Sequence, residues 1–167
     1  MCRNGECYNT RMVKQLNVRL ASANDVDGMH DLGKDVAEFA VTDNTVTFWP
    51  KSVLARAVNS DDVVVLVAET DSIAGFLIAQ YSDGLKKAVI ENIFVRPDMR
   101  KRNMGDMLLK RALEVLRDKG CEFVATLVPS GAQAAAGLYE KHGFRQGPEP
   151  FLWLDKSLSA AFDKKSG

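Results

Sequence analysis

An apolar segment that leads directly into a basic loop and then into an amphipathic helix is the feature that most limits the fold. Residues 88–95 are mostly apolar and stop before Pro97, which predicts a buried strand. From Met104 onward, apolar side chains recur at helical spacing until Gly120, which predicts a long helix. A buried strand followed at once by a long helix is typical of an α/β protein.

The loop between this strand and this helix has the properties of an anion site. The first amides of a helix carry partial positive charge and lack acceptors within the helix. Asn103 and Gly105 tolerate the backbone conformations that let a phosphate come close to the main chain. The loop therefore predicts a phosphate-binding site.

Hydrophobic spacing and turn residues predict further elements on both sides of this unit. Ser22 and Asp25 resemble a capping box that opens the first helix, which we expect to reach about Ala40. The predicted order is β-α-α-β-β-β-α-β-α-β-β, a mixed α/β sheet with crossover helices. The predicted strands are 16–20, 63–68, 73–81, 88–95 and 123–128, followed by a pair within 145–154, and the predicted helices are 26–40, 50–58, 104–119 and 133–142.

Length and composition exclude several classes of protein. A chain of 167 residues suits one domain. Its 22 Lys and Arg balance 22 Asp and Glu, so neither nucleic acid nor a membrane is predicted as a partner. The sequence has no membrane-length apolar run and no signal-peptide core, which predicts a soluble cytoplasmic protein. The three cysteines lack partners at zinc-site spacing, so no metal is predicted. We expect a flexible arm over 1–12, a domain over 13–158 and a polar tail over 159–167.

The charges are unevenly distributed along the chain. Residues 96–119, the basic segment, hold eight Lys and Arg against four Asp and Glu, a net charge of +4. Residues 24–45, the acidic segment, hold six acids and one Lys, a net charge of −5. A phosphate-rich cofactor at the basic segment and a cationic substrate near the acidic segment would use this asymmetry. Two solvated helix faces explain the same composition equally well.

Two motifs resemble those of the GNAT-type N-acetyltransferases, and the resemblance covers most of the chain. Residues 100–105 follow a strand and Val-x-Pro and resemble the family's coenzyme A pyrophosphate loop, Arg-x-x-Gly-x-Gly, with Asn103 where the first Gly is usual. Residues 138–144, Leu-Tyr-Glu-Lys-His-Gly-Phe, resemble the signature that ends the family's fourth helix. Ala132 stands where the family usually has an Asn seven residues before the Tyr.

The resemblance implies a fold, a cosubstrate and a set of binding residues. The implied fold is α/β, a single GNAT-like domain whose mixed, mostly antiparallel sheet splays between the fourth and fifth strands, with about four helices on both faces. Acetyl-CoA would insert between those strands and pair with the backbone of Ile93, Phe94 and Val95. Tyr139 corresponds to the family's Tyr that often protonates the leaving thiolate. The implied pyrophosphate-binding residues are Arg100, Lys101, Arg102, Asn103, Met104, Gly105 and Asp106.

Glu91 is the candidate general base. It alternates with Ile93 and Val95 along the strand, and a carboxylate on an apolar strand face is uncommon without a partner or a task. An alkyl amine with a pKa of ~10.4 is only about 0.04% neutral at pH 7, so a base near the ammonium group is useful. The pair Glu91-Asn92 resembles the Glu-Asp of diamine acetyltransferases. The alternative is a bulge that turns Glu91 outward into a cross-strand pair.

The acceptor site is predicted from fewer signals. Glu38 and Asp43 of the acidic segment and Trp49 are its candidate residues, with solvation of the acids and core packing of the indole as alternatives. They favour an amine acceptor, either a small cationic molecule or a peptide. A non-catalytic acyl-CoA sensor of the same fold and a nucleotide-phosphate module are competing hypotheses. His142 is expected at the surface, and an exposed edge strand over 151–154 is compatible with a homodimer.

Overall fold

The computed structural model of the protein describes residues 15–39 and 48–148. Five strands and four α-helices lie within these ranges. The strands are β1 (Asn17–Leu20), β2 (Val63–Glu69), β3 (Ile73–Ser82), β4 (Lys87–Val95) and β5 (Phe123–Thr126), and the helices are α1 (Val26–Gly33), α2 (Lys51–Ala57), α3 (Met104–Asp118) and α4 (Gln133–Lys141).

The five strands form one mixed sheet in the order β1-β2-β3-β4-β5. The first three neighbouring pairs are antiparallel, and β4 and β5 are parallel. The connection from β4 to β5 passes through α3, as a parallel pair requires a crossover. The predicted α/β class and mostly antiparallel sheet are confirmed.

Alternation of side chains along the central strands produces a hydrophobic layer on each face of the sheet. Leu77 of β3 packs in the layer that contains Leu108 of α3 and Tyr139 of α4. Its neighbour Phe76 packs in the layer that contains Leu54 of α2. Successive residues of a strand face opposite sides, so β3 is buried on both. The prediction of about four helices on both faces is confirmed for the described residues.

The first helix is shorter than its periodicity predicts. α1 ends at Gly33, and a separate 3-10 turn covers Ala37–Phe39 instead of a helix that continues to Ala40. A Cβ on Gly33 would lie 2.4 Å from Cε1 of Phe48, and Phe39 stacks on the same ring with 5.6 Å between centroids. Packing of Phe48 against the bare glycine therefore coincides with the helix end, where glycine already weakens the helix.

Two predictions near the C-terminal part also need correction. β5 ends at Thr126 rather than residue 128, since the chain leaves β4 there, and residues 145–148 contain no strand. The rest of the predicted strand pair, the dimer edge at 151–154 and the predicted domain boundaries fall outside the described residues and stay predictions. In the described ranges, the structure contains no helix long and apolar enough to cross a membrane.

A charged cluster joins the edge of the sheet to the start of α1. The Arg19 guanidinium donates to both oxygens of Asp25, at 2.8 and 2.9 Å, and to both oxygens of Glu69, at 2.9 and 2.7 Å. Asp25 also accepts from the Ser22 backbone N–H at 2.7 Å, which confirms the predicted capping box. Hydrogen bonds from Arg19 hold the pKa of the buried Asp25 carboxyl at about 2, below its ordinary 3.8.

Replacing Asp25 by Asn is expected to lower the free energy of unfolding by about 2 kcal/mol at pH 7. Because the folded-state pKa of Asp25 is lowered, its ionised form contributes stability above the unfolded-state pKa of 3.8, and this is lost as the pH falls through about 2. Denaturant titrations of the wild type and of Asp25→Asn at several pH values should show that the difference in their free energies of unfolding decreases in acid.

The matched control for this substitution is Asp27→Asn. Asp27 pairs with Lys51 at 2.6 Å, but its side chain is 79% exposed, so the loss should stay within about 0.5 kcal/mol. Equal losses of unfolding free energy in the two variants would contradict the stabilising role of ionised Asp25. So would a difference between wild type and Asp25→Asn that is the same at pH 2 as at pH 7.

Candidate active site

The strands β4 and β5 separate in the middle of the sheet. Their pairing runs from Lys87 with Phe123 to Ile90 with Thr126, whereas β4 continues to Val95. In the described part of the chain, no strand pairs with the outer edge of β4 beyond Ile90, so the backbone groups on this edge have no strand partner there. The Thr126 hydroxyl donates to the Ile90 carbonyl at 3.1 Å at the point of separation. The predicted splay of the sheet is confirmed.

Tyr139 lies beside this point of separation. It is 5% exposed and belongs to the layer formed by α3 and the sheet. Burial raises the pKa of its phenol above 10.0, and a smaller effect of a hydrogen bond with Thr126 lowers it. The phenol is therefore protonated at neutral pH, as a proton donor must be.

The end of α4 explains how Tyr139 is held. Gly143 has a φ of 85°, the left-handed conformation predicted for the residue that closes this helix. The turn brings the Phe144 amide to the Tyr139 carbonyl at 3.1 Å and sets the two rings edge to face at 5.1 Å between centroids. The motif therefore fixes both the backbone and the ring of Tyr139.

Glu91 occupies a β-bulge. Asn92 pairs with Ile78 and Ile90 pairs with Ala79, which leaves Glu91 without a partner across β3. The expectation that Glu91 shares a face with Ile93 is wrong: Ile90 and Ile93 pack in the same layer against α3, so the alternation of faces changes across Glu91 and Asn92.

The bulge gives Glu91 an exposed position whose carboxyl is nevertheless partly desolvated. Desolvation by the surrounding protein raises the pKa of Glu91 above 4.5. The predicted alternative is thus confirmed for the bulge and for the outward position of Glu91, but its side chain has no cross-strand partner among the described residues. A raised pKa makes the ionised carboxylate a stronger base at neutral pH.

The loop before α3 has two residues in the left-handed conformation, Lys101 with a φ of 61° and Asn103 with a φ of 64°. Asn103 therefore adopts the conformation that its residue type permits. Gly105 was expected to supply the same freedom, but it lies within α3 and has no positive φ. The first hydrogen bond of the helix runs from Met107 to Asn103 at 3.0 Å, so the amides of residues 104–106 have no acceptor within the helix.

The cations of this loop differ in their contacts. Arg100 donates from Nε to the Val95 carbonyl at 3.1 Å, and its guanidinium lies 5.8 Å from the centre of the Phe94 ring. Lys101 and Arg102 form no hydrogen bond or ion pair with the described residues. Arg100 thus supports the end of β4, while the other two side chains are available to an anion.

Asp106 has a role that the sequence did not indicate. Its Oδ1 lies 2.6 Å from Lys141 Nζ and 2.9 Å from His142 Nε2, and hydrogen bonds from these two residues lower the pKa of Asp106. The His142 side chain is only 15% exposed, so the expectation of a surface residue is wrong. Asp106 joins the first turn of α3 to the end of α4.

The predicted acceptor residues are only partly described. Trp49 donates from Nε1 to Oδ1 of Asn92 at 3.0 Å, which places the indole next to the bulge. Glu38 lies in the 3-10 turn at 37–39, with its side chain outside the described part, and Asp43 falls outside it altogether. Sequence reasoning missed Thr126, for which a polar residue within an apolar strand was the only signal. It noted Asn92 only as part of the Glu91-Asn92 pair and did not predict its contact with Trp49.

Comparison with known proteins agrees with this architecture. Residues 31–144, more than half of the chain, match the model of the acetyltransferase (GNAT) family. The chain therefore belongs to the GNAT acetyltransferase family, which confirms the resemblance of its motifs, and acetyl-CoA is the cosubstrate of that family.

The individual relatives share limited sequence identity with this chain. A ribosomal protein bS18 alanine N-acetyltransferase of Salmonella typhimurium is 36% identical over 46% of this chain, and the match spans half of that relative's length. An L-methionine sulfoximine/L-methionine sulfone acetyltransferase of Pseudomonas paraeruginosa is 26% identical over 67% of this chain and 77% of the relative. The crystal structure of the PaiA N-acetyltransferase of Thermoplasma acidophilum in complex with coenzyme A shares the fold, with a TM-score of 0.70 and 17% identity over 81% of this chain and 93% of that one.

The left-handed conformation at Asn103 leads to a prediction for this position. Asn103→Ala is expected to lower the free energy of unfolding by about 1–2 kcal/mol, since a Cβ without a polar group disfavours positive φ. Asn103→Gly should retain the stability, because glycine accepts this conformation. Denaturant unfolding of the three proteins checks the prediction. Equal destabilisation by Ala and Gly would assign the effect to the carboxamide instead of the backbone.

Proposed function

We propose that this protein is an acetyl-CoA-dependent N-acetyltransferase that moves an acetyl group directly to a primary amine, either of a small molecule or of a peptide. The observation that carries the proposal is the meeting of three features at one point of the sheet. β4 and β5 separate after Ile90, and the buried Tyr139 lies at the point of separation. Glu91, the next residue of β4, has no partner residue on β3.

The basic loop fits the phosphates of coenzyme A. The three amides at the start of the 15-residue helix α3 have no acceptors within the helix and can donate to an anion, and Lys101 and Arg102 add positive charge without forming a hydrogen bond or ion pair in the described chain. The unpaired edge of β4 over residues 93–95 suits an extended pantetheine arm, which would pair as an additional strand does. A backbone amide on the same edge can also polarise the thioester carbonyl.

Glu91 and Tyr139 divide the proton transfers. Glu91 accepts a proton from the ammonium group of the acceptor, and the neutral nitrogen attacks the thioester carbonyl. The new C–N bond forms as the C–S bond breaks, and the phenol of Tyr139 protonates the departing sulfur. The raised pKa values of both groups support these roles, because they keep the phenol protonated and strengthen the carboxylate as a base.

The relatives support an amine as the acceptor but do not identify a particular compound. The two relatives are named for transfer to alanine of a ribosomal protein and to L-methionine sulfoximine or sulfone, all of which carry amines. The acidic segment gives weaker support for a cationic acceptor than its composition suggested. Three of its six acids, Asp25, Asp27 and Asp31, form ion pairs with basic side chains of the same chain. Glu38, Asp43 and Trp49 stay predicted acceptor residues, and no observation favours the non-catalytic sensor.

Tyr139→Phe is expected to lower kcat at least about 10²-fold and to leave the affinity for acetyl-CoA nearly unchanged, since only the proton donor is removed. Tyr81→Phe is the matched control. Tyr81 is similarly buried, but its hydroxyl bonds Asp83 and the Lys119 carbonyl away from the separation of the strands. A coupled free-thiol assay measures both variants. Equal losses of kcat in the two would exclude the acid role.

Glu91→Gln tests the base through the pH dependence of the rate. Because Glu91 has a raised pKa and must be ionised to act, the wild type should gain rate as the pH rises through that value. The ratio of wild-type to variant kcat/KM should be largest between the pKa of Glu91 and that of the amine. It should shrink toward pH 9, where more of the amine is already neutral.

The control for Glu91→Gln is Glu114→Gln, which removes an exposed carboxylate paired with Arg111 on α3. This variant should keep the wild-type pH profile. A Glu91→Gln rate that is reduced by the same factor at every pH between 6 and 9 would assign Glu91 a role in binding and not in proton transfer.

A further inference from the structure

The hydrogen bond between Trp49 and Asn92 fixes the orientation of a carboxamide beside the candidate base. The indole N–H can only donate, so the Asn92 oxygen faces Trp49, at 3.0 Å, and the NH2 group takes the opposite side. No described residue accepts a hydrogen bond from that NH2 group. Asn92 thus offers two N–H donors to its surroundings.

The position of Asn92 places these N–H donors next to the candidate base. Asn92 directly follows the bulged Glu91 and pairs with Ile78, beyond the last residue at which β5 pairs with β4. The change of alternation at the bulge sets Asn92 on the same face as Phe94, the face covered by α1 and α2. A carboxylate acceptor and an amide donor therefore stand at consecutive residues, next to the separated strands.

We propose that Asn92, oriented by Trp49, is a specificity-determining residue that selects amines with a carbonyl oxygen on the neighbouring carbon, such as the α-amino group of a peptide or amino acid amide. The proposal rests on the function proposed above. Glu91 takes the ammonium group, and the NH2 group of Asn92 donates to the adjacent oxygen. An amine without such an oxygen displaces water from the NH2 group and gives no hydrogen bond in return.

Two acceptors of nearly equal shape test the proposal. L-alaninamide carries the oxygen, and 3-methylbutan-2-amine replaces its carboxamide by an isopropyl group. The kcat/KM ratio of the first to the second should fall about tenfold in Asn92→Leu, which corresponds to the loss of one hydrogen bond. Comparing this ratio between proteins cancels the different pKa values of the two amines.

Further variants separate the orientation of the Asn92 carboxamide by Trp49 from the contact of its NH2 group with the acceptor. Trp49→Phe keeps an aromatic ring but removes the N–H, so the carboxamide can rotate and the ratio should fall part of the way. Asn92→Asp retains the acceptor for Trp49 and replaces the donors by an oxygen, so it should disfavour L-alaninamide most. Asn59→Leu is the control, because that carboxamide only bonds the Ala55 carbonyl on α2 and its loss should leave the ratio unchanged.

Binding of the two amines near Asn92 can also be measured without turnover, by NMR. In 15N-labelled wild type, the Asn92 side-chain NH2 resonances should shift on titration with L-alaninamide in the presence of coenzyme A, and not with 3-methylbutan-2-amine. An unchanged ratio in Asn92→Leu, or equal shifts with both amines, overturns the selectivity. If the wild type acetylates neither acceptor nor any other amine, the proposed function fails, and the NH2 resonances alone then decide the role of Asn92.

Discussion

The separation of β4 from β5 is the constraint on which the rest of the site depends. A parallel pair normally satisfies its backbone groups across the whole contact, but here the pairing ends at Ile90 and Thr126. The Thr126 hydroxyl donates to the Ile90 carbonyl and also interacts with Tyr139. One side chain thus stabilises the end of the pairing and holds the phenol where the free edge of β4 begins.

The parts of the structure that follow from short-range rules could be predicted from the sequence. The strand, loop and helix around residues 88–119, the capping box at Ser22 and the left-handed turn at Gly143 each depend on residues within a few positions of one another. The same holds for Asn103, whose residue type tolerates the conformation that the loop requires. Motif resemblance added the splay of the sheet, which no local pattern indicates.

The parts that could not be predicted depend on contacts between distant segments. The bulge at Glu91, which the sequence offered only as an alternative, is defined by the register of β3, and it reverses the face assigned to every later residue of β4. Asp106 and His142 are 36 residues apart in sequence, so nothing in either neighbourhood indicates their contact. The early end of α1 likewise depends on Phe48, which lies across a segment of the chain from Gly33.

Several irregular backbone positions lie around the proposed coenzyme site, while the hydrophobic layers on the two faces of the sheet are buried. The bulge, the free edge of β4 and the left-handed Lys101 and Asn103 are each less stable than regular structure. Leu77 and Leu108, which belong to the layer between the sheet and α3, are fully buried. A rigid core can hold such a site in one geometry before any ligand binds, so less of the binding free energy is spent on ordering the protein.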